Sequence, residues 1–235
     1  MVFAIPLAER AEQLMAQGHD ELSGSAGPVP KAAVAATLDA LARGETHYTD
    51  RPGILPLREQ VTKSLAERFG IATDPKANTV ITCGVTEARF VAVQELLKPG
   101  QTLYAGAYPE RLGGALTIRG AQLTADVGAA QVLYLVSSMS ETALRHVLDA
   151  ATAEALVVFE VDDGLSTFHP VQLSAFENRT VTTGTLGGDE LLSWRVGFLA
   201  APTASATGLR DFKQALTICT TNLSQWAALA VLEDR

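Results

Sequence analysis

The chain has 235 residues, 47% hydrophobic and 19% charged, so it carries enough apolar material for one large α/β domain or two small ones. Its formal charge of −8 comes without a run of Lys or Arg, which argues against a nucleic-acid partner. No stretch approaches the roughly 20 apolar residues that a bilayer crossing needs, and the first ten residues lack a signal-peptide pattern. We therefore expect a cytoplasmic protein with no membrane partner.

The first thirty residues are predicted to form an arm. It holds a short helix, Leu7–Gln17, and then a loop, Ser23–Pro30, whose Gly and Pro residues oppose regular structure. Apolar residues at helical spacing predict two further helices, Lys31–Arg43 and Leu57–Phe69, each followed by a glycine. Two helices therefore precede the first predicted strand.

Beyond these helices, apolar runs alternate with helical patterns, which is typical of a mainly parallel sheet with crossover helices. The predicted strands are Thr79–Cys83, Thr102–Ala105, Gln122–Ala125, Val132–Val136, Leu156–Val161, Thr180–Thr183 and Val196–Ala200. The predicted helices are Glu87–Leu97, Pro109–Arg119, Ser140–Ala151, Ala206–Ala215 and a last one from Leu223 to the end. We expect a three-layer α/β/α sandwich with a mostly parallel seven-stranded sheet, in a single domain over residues 1–235.

The turn after the first predicted strand, Thr82–Ala88, is the best candidate ligand site. Ligands of open α/β sheets bind beyond the carboxyl ends of the strands, where helix N-termini offer unpaired N–H groups. Gly84 permits a tight turn, and the N–H groups around Val85 and Thr86 would face a phosphate. The alternative is a simple glycine turn in which Thr86 caps the next helix.

Two further candidates lie at strand ends. Asp162 and Asp163 follow an apolar strand, where a carboxylate could pair with a ligand nitrogen or serve only as a cap or turn residue. No cluster of His, Cys, Asp and Glu with ligand spacing accompanies them, so we predict no metal. Arg195 enters the last strand and is either a ligand contact or a surface guanidinium.

The cysteines and histidines suggest no further chemistry. Cys83 and Cys219 lie far apart without CxxC spacing, so we interpret them as small buried apolar residues. The four histidines have no Ser or Cys nucleophile in an elbow such as GxSxG, so a hydrolase triad is unsupported.

The order and spacing of these segments resemble the large domain of fold-type-I pyridoxal-phosphate (PLP) aminotransferases, class I/II. Three segments add to the likeness. Ser23–Pro30 is similar to the family's substrate loop, His47–Asp50 with Leu57-Arg58-Glu59 resembles its "YxxxxG…LRE" pattern, and Leu97-Lys98-Pro99-Gly100 resembles its "L.PGD". The resemblance covers nearly the whole chain.

The resemblance implies a role for particular residues. Gly84, Val85, Thr86 and Arg195 would bind the cofactor phosphate, and Tyr48 would reach the phosphate of the neighbouring subunit in a homodimer. Tyr108 would stack on the pyridine ring, Asp162 would pair with the protonated pyridine nitrogen, and Gly24 would contact substrate.

Departures from the family pattern are equally informative. Gly188 stands where the family keeps its Schiff-base lysine, so covalent attachment and the usual base are both lost, and no catalytic residue is assigned. Ser137–Ser140 replaces the Asn-Pro segment, and Leu165 replaces a tyrosine. Asp189 and Glu190 would add negative charge close to the cofactor. The chain also ends at Arg235, so we expect the carboxy-terminal small domain to be absent.

Three hypotheses follow. In the first, the protein is aminotransferase-like without normal transaminase activity, and binds PLP or another phosphate ligand non-covalently or acts as a dimeric partner. In the second, it is an aminotransferase that uses non-covalently held PLP. In the third, it is a structural dimerisation module. A cleft filled by side chains would favour this third hypothesis.

Overall fold

A computed structural model describes residue 16 and residues 29–162 and 166–234 of the chain. The α-helices in this part are α1 (Lys31–Ala42), α2 (Leu55–Phe69), α3 (Gly84–Leu96), α4 (Gly113–Arg119), α5 (Glu141–Ala150), α6 (Thr203–Thr217) and α7 (Asn222–Glu233). The strands are β1 (Thr79–Thr82), β2 (Thr102–Ala105), β3 (Gln122–Thr124), β4 (Val132–Val136), β5 (Leu156–Val161), β6 (Thr180–Thr185) and β7 (Gly197–Ala200). The predicted Leu7–Gln17 helix and Gly24 lie outside the described residues, apart from residue 16.

The seven strands form one sheet in the order β1-β7-β6-β5-β4-β2-β3. The pairs among β2, β3, β4, β5 and β6 are parallel, whereas β7 runs antiparallel to both β6 and β1. The predicted mostly parallel seven-stranded sheet is therefore confirmed. The antiparallel direction of β7 was not predicted. The connection from β6 holds a 3-10 turn, Asp189–Trp194, and no α-helix, whereas parallel neighbours are usually joined by a crossover helix.

Helices cover both faces of the sheet, which confirms the three-layer architecture. Alternate residues of the central strand β4 enter two separate cores, as expected for a strand buried on both sides. Leu133 and Leu135 pack with apolar residues of α2, α5 and α7. Val132, Tyr134 and Val136 pack on the other face with those of α3, α4 and α6.

Several predicted helices differ from the structure in their bounds, and one of them is divided. The predicted Pro109–Arg119 helix is a 3-10 turn, Pro109–Arg111, followed by α4. Leu112 divides the two, because it ends the 3-10 turn and is the N-cap of α4. Helix α3 starts at Gly84 and not at Glu87, so the predicted turn forms its first residues. Within residues 29–162 and 166–234, no helix is long and apolar enough to span a bilayer.

Candidate functional site

A cavity of about 480 Å³ lies at the carboxyl ends of β5 and β6. Its walls come from α2, the first turns of α3, the ends of these two strands and the loop that follows β6. Among the residues singled out in the sequence, it brings together Val85, Asp162 and Gly188. This is the place where open α/β sheets bind ligands.

The N-terminus of α3 enters the cavity through Val85. Cys83 is the N-cap, and its N–H donates to the Glu87 carboxylate at 2.5 Å. The alternative in which Thr86 caps this helix is therefore wrong, because the capping position lies three residues earlier. The first N–H groups of a helix have no intrahelical acceptor. Those of Gly84, Val85 and Thr86 can therefore bind an anion at the start of α3.

Arg195 lies directly against this turn. Its Nη2 donates to the Cys83 carbonyl at 3.5 Å, and a Cβ added to Gly84 would come within 3.2 Å of its guanidinium carbon. Arg195 itself is exposed and adopts a left-handed backbone conformation with φ of 57°. The structure thus brings the predicted phosphate ligands Gly84 and Arg195 together, although neither lines the cavity itself.

Asp162 stands at the end of β5 with its carboxylate held from two sides. The Ser137 hydroxyl donates to Oδ1 at 2.7 Å, and the Ser138 hydroxyl donates to Oδ2. Arg68 donates to the Asp162 carbonyl at 3.1 Å. The two serines follow strand β4 directly, so this chain orients its strand-end acid with hydroxyl groups.

Gly188 lies in a loop whose backbone suits glycine. Its φ of 63° and ψ of −156° fall in a region that residues with a side chain hardly populate. Gly187 before it has φ of 83°, and a Cβ there would meet Leu191 at 2.5 Å. The side chain of Asp189 lies outside the described residues. A lysine at position 188 would be strained in this backbone conformation.

The cavity has no lysine among its described lining residues. All five lysines of the chain are described, and Lys213 is the notable one because it is fully buried on α6. Its Nζ has no hydrogen-bond partner among the described residues. Burial lowers the pKa of Lys213, and the nearby Glu87 carboxylate opposes that shift. This amine packs outside the cavity.

A buried ion cluster in the cavity wall was missed in the sequence. Arg89 donates to both oxygens of the Glu160 carboxylate, at 2.5 and 2.8 Å. Arg111 adds a contact of 3.2 Å, and the Tyr134 hydroxyl donates at 2.7 Å. Burial, followed by the Glu160 charge, raises the pKa of Tyr134. A glutamate inside the apolar run Leu156–Val161 was the available signal, because a buried carboxylate needs partners.

Comparison with known proteins finds relatives of this chain among the aminotransferases. No protein-family profile matches it. It is 25% identical to an aspartate aminotransferase of Thermotoga maritima, over 97% of this chain and 70% of that protein. It is also 25% identical to aromatic-amino-acid aminotransferase 2 of Thermococcus litoralis, over 83% of this chain and 59% of that protein. Its relatives are PLP-dependent aminotransferases of fold type I.

Solved structures show the same fold. The N-succinyldiaminopimelate aminotransferase of Mycobacterium tuberculosis superposes with a TM-score of 0.79 at 20% identity, over 95% of this chain and 69% of that chain. YbdL of Escherichia coli, described as having a methionine aminotransferase function, gives 0.76 at 18% identity, over 99% and 71%. The predicted family resemblance is thereby confirmed for the greater part of the chain. The chain spans about three fifths to seven tenths of the length of these aminotransferases.

The two tyrosines expected from the aminotransferase pattern do not line the cavity. Tyr108 has a strained φ of 49°, and the Arg111 guanidinium lies 3.8 Å from the centre of its ring. Tyr48 is 81% exposed and borders a separate cavity of about 600 Å³ with Cys219–Leu223. The roles that the family assigns to both rings remain predictions.

The remaining sequence candidates in the described part of the chain form no further centre. Cys83 and Cys219 are free and half-buried, so the expectation of full burial was wrong; both lie beside loops at the ends of helices. His169 is fully buried, and burial lowers its pKa to about 3. No group of three or more His, Cys, Asp or Glu residues in the described part of the chain is placed to hold a metal ion.

Proposed function

We propose that this chain is an aminotransferase-like protein that holds PLP, or another phosphate-bearing ligand, non-covalently and does not perform normal transamination. The observation that carries the proposal is the glycine-specific backbone at Gly188, in a cavity without a described lysine. A lysine amine normally tethers the cofactor and then moves the substrate's α-proton. Without that lysine, neither the tethering of the cofactor nor the proton transfer has the amine that it needs.

The phosphate end of PLP fits the start of α3. The N–H groups of Gly84, Val85 and Thr86 carry the positive end of the helix dipole, and Arg195 adds a full positive charge beside Gly84. Neither contact depends on a covalent bond. The ligand can therefore be held at its phosphate end by this chain alone.

The pyridine end fits Asp162. When bound, PLP supplies an electron sink, which depends on a proton held at the ring nitrogen. A carboxylate fixed by Ser137 and Ser138 is oriented to stabilise that proton, because a nearby negative charge favours the protonated form. The retained acid favours PLP over a plain phosphate ion as the ligand.

The open cavity counts against a purely structural role. A dimerisation module with a cleft filled by side chains would leave no room for a ligand, whereas this chain keeps about 480 Å³. Under the proposal a homodimer still forms, and Tyr48, which is 81% exposed, contacts the neighbouring subunit. Light scattering of the purified chain tests the dimer, and a monomeric mass would contradict it.

The decisive experiment is an absorbance titration with PLP, followed by borohydride reduction and peptide mapping. We expect saturable binding, a higher melting temperature in excess PLP, and no lysine adduct after reduction. A trapped lysine would overturn the non-covalent proposal. Absence of binding, with unchanged stability, would remove the cofactor role altogether.

A second candidate is an aminotransferase that uses non-covalently held PLP, and the retained Asp162 favours it. Mixing the PLP-loaded protein with a panel of amino acids tests this directly. Conversion of the aldehyde cofactor to its amine form in single-turnover spectra would support the second candidate. An unchanged cofactor spectrum would support the first.

A further inference from the structure

We propose that Lys213 is a positioning residue for the anion site at the start of α3. Its amine offsets the charge of the buried Glu87 carboxylate, so that this helix end keeps a net positive charge for a ligand phosphate. The inference rests on the proposed function for the place of the phosphate. It goes beyond that function because Lys213 lies on α6, does not line the cavity and would act without touching the ligand.

Glu87 places a negative charge at the same helix end. It lies in the first turn of α3, is 8% exposed, and its Oε2 accepts the Cys83 N–H at 2.5 Å. A carboxylate at this position stabilises the helix through the helix dipole. The same charge repels a phosphate at the N–H groups of Gly84, Val85 and Thr86, because like charges at close range oppose binding. A cation beside Glu87 would remove that repulsion.

Helix α6 brings Lys213 to this carboxylate. Thr217 donates its hydroxyl to Glu87 Oε1 at 2.7 Å, so this face of α6 packs against the start of α3. Lys213 lies one turn earlier on the same face, and the Thr217 hydroxyl is 3.5 Å from the Lys213 carbonyl. Burial lowers the pKa of the Lys213 amine, and Glu87 opposes that shift more strongly than Cys83 and Cys219 do.

The Lys213 amine contributes charge and no hydrogen bond. Lys213 is 0% exposed, and its Nζ has no hydrogen-bond partner among the described residues. A buried cation without such partners is costly, and an apolar residue of similar length would avoid that cost. Together Lys213 and Glu87 are neutral. The pair therefore leaves the charge of Arg195, beside Gly84, unopposed at the start of α3.

Calorimetric titration of the full chain with pyridoxine 5′-phosphate tests the inference, with pyridoxine as the matched ligand that lacks the phosphate. Neither ligand carries an aldehyde, so neither reacts with lysines. Lys213→Met should raise the dissociation constant of the phosphorylated ligand by about tenfold and change that of pyridoxine by less than about twofold, because the lost charge acts on the phosphate. An equal change for both ligands, or no change, would overturn the inference.

A double variant separates charge from packing. Glu87→Gln keeps the acceptor oxygen and the shape, and should lower the dissociation constant of pyridoxine 5′-phosphate by about tenfold because a repulsive charge is gone. Adding Lys213→Met to Glu87→Gln should return the affinity close to that of the wild type. A double variant as weak as Lys213→Met alone would assign Lys213 a structural role and overturn the inference. If Lys213→Met does not fold, unchanged affinity in the folded Glu87→Gln variant would overturn it.

Lys63→Met is the matched control. The Lys63 amine also lies near a glutamate, with Glu67 Oε1 at 3.9 Å, but its side chain on α2 is 64% exposed and does not line the cavity. This variant should leave the affinity for pyridoxine 5′-phosphate unchanged, because solvent screens exposed charges. A similar loss in Lys63→Met and Lys213→Met would make the effect one of overall charge and would contradict a special role for Lys213.

Inorganic phosphate separates this inference from the proposed function. If the wild type binds phosphate and does not bind PLP, a loss of phosphate affinity in Lys213→Met would keep the inference and remove the cofactor proposal. If the wild type binds PLP, and Lys213→Met binds pyridoxine 5′-phosphate as tightly as the wild type does, the inference falls and the cofactor proposal stands. Absence of binding for all three phosphate compounds would overturn both.

Discussion

Strands β5 and β6 are neighbours and both end at the cavity, yet they end in opposite ways. The end of β5 carries two carboxylates, Glu160 and Asp162, and each is held by several hydrogen-bond donors. The end of β6 runs into Gly187 and Gly188, whose backbone suits residues without a side chain. The difference shows that this chain has polar groups that can orient a ligand at the end of β5, and backbone without side chains at the end of β6.

The largest expected effect comes from breaking the ion cluster on β5. Glu160→Ala should lower the free energy of unfolding by about 3–5 kcal/mol, because it leaves the largely buried Arg89, whose side chain is 12% exposed, without its partner. Urea denaturation measures the change. Glu141→Ala removes an exposed ion pair on α5 and should cost less than about 1 kcal/mol. Equal losses in the two variants would show that the β5 cluster adds no more than a surface pair.

Restoring a lysine at the end of β6 is the next test. Gly188→Lys should cost about 1–3 kcal/mol, because a side chain is strained at this φ and ψ. Gly114→Lys is the control, since a Cβ on α4 meets no atom within 4 Å. Denaturation curves compare the two. A stable Gly188→Lys variant whose new lysine is trapped by PLP and borohydride would show that the loop accepts a tether.

A smaller effect is expected at the ligand end of β5. Asp162→Asn should raise the dissociation constant of PLP by about tenfold, because an amide does not stabilise a protonated ring nitrogen by charge. Absorbance titration measures it, with Asp149→Asn on the exposed face of α5 as the control. An unchanged dissociation constant would place the pyridine ring away from Asp162.

The smallest effect concerns His169, which links the two strands. Its ring lies 4.5 Å from that of Phe159 on β5, and Nε2 is 3.0 Å from the Thr182 hydroxyl on β6. Because burial lowers its pKa to about 3 from the ordinary 6.5, the unfolded chain binds more protons between these values. The contribution to stability is complete above pH 6.5 and decreases as the pH falls toward 3.

Urea denaturation at two pH values checks this pH dependence. The free energy of unfolding should fall by about 0.7 kcal/mol between pH 7 and about pH 6, and His169→Asn should reduce that difference. His146→Asn, at an exposed position on α5, should leave it unchanged. The same decrease in all three proteins would assign the pH dependence to other groups.

Much of the fold could be predicted because it depends on local patterns. Val132–Val136 and Leu156–Val161 were predicted with the bounds that the structure gives, since short and mainly apolar runs rich in Val, Leu and aromatic residues are a strong strand signal. The start of α3 was predicted three residues late, because Cys83 is not a residue type that usually caps a helix and the pattern did not reveal it.

The candidate site was only partly predictable. Asp162 and Val85, which line the cavity, were singled out because each follows a predicted strand along the chain, and Gly188 was singled out through the family resemblance. The partners that define their surroundings come from distant segments: Ser137 is 25 residues from Asp162, and Arg89 is 71 residues from Glu160. No local spacing rule connects such pairs, so the ion cluster escaped sequence reasoning.

The sequence by itself determined the alternation of helices and strands, the family resemblance and the glycine at position 188, because these depend on residue type and on neighbours in the chain. The tertiary structure alone decided the antiparallel placement of β7, the conformation that suits Gly188, and the second arginine on Glu160. Charges and backbone angles at the cavity depend on which segments the sheet brings together. That juxtaposition arises only when the chain folds.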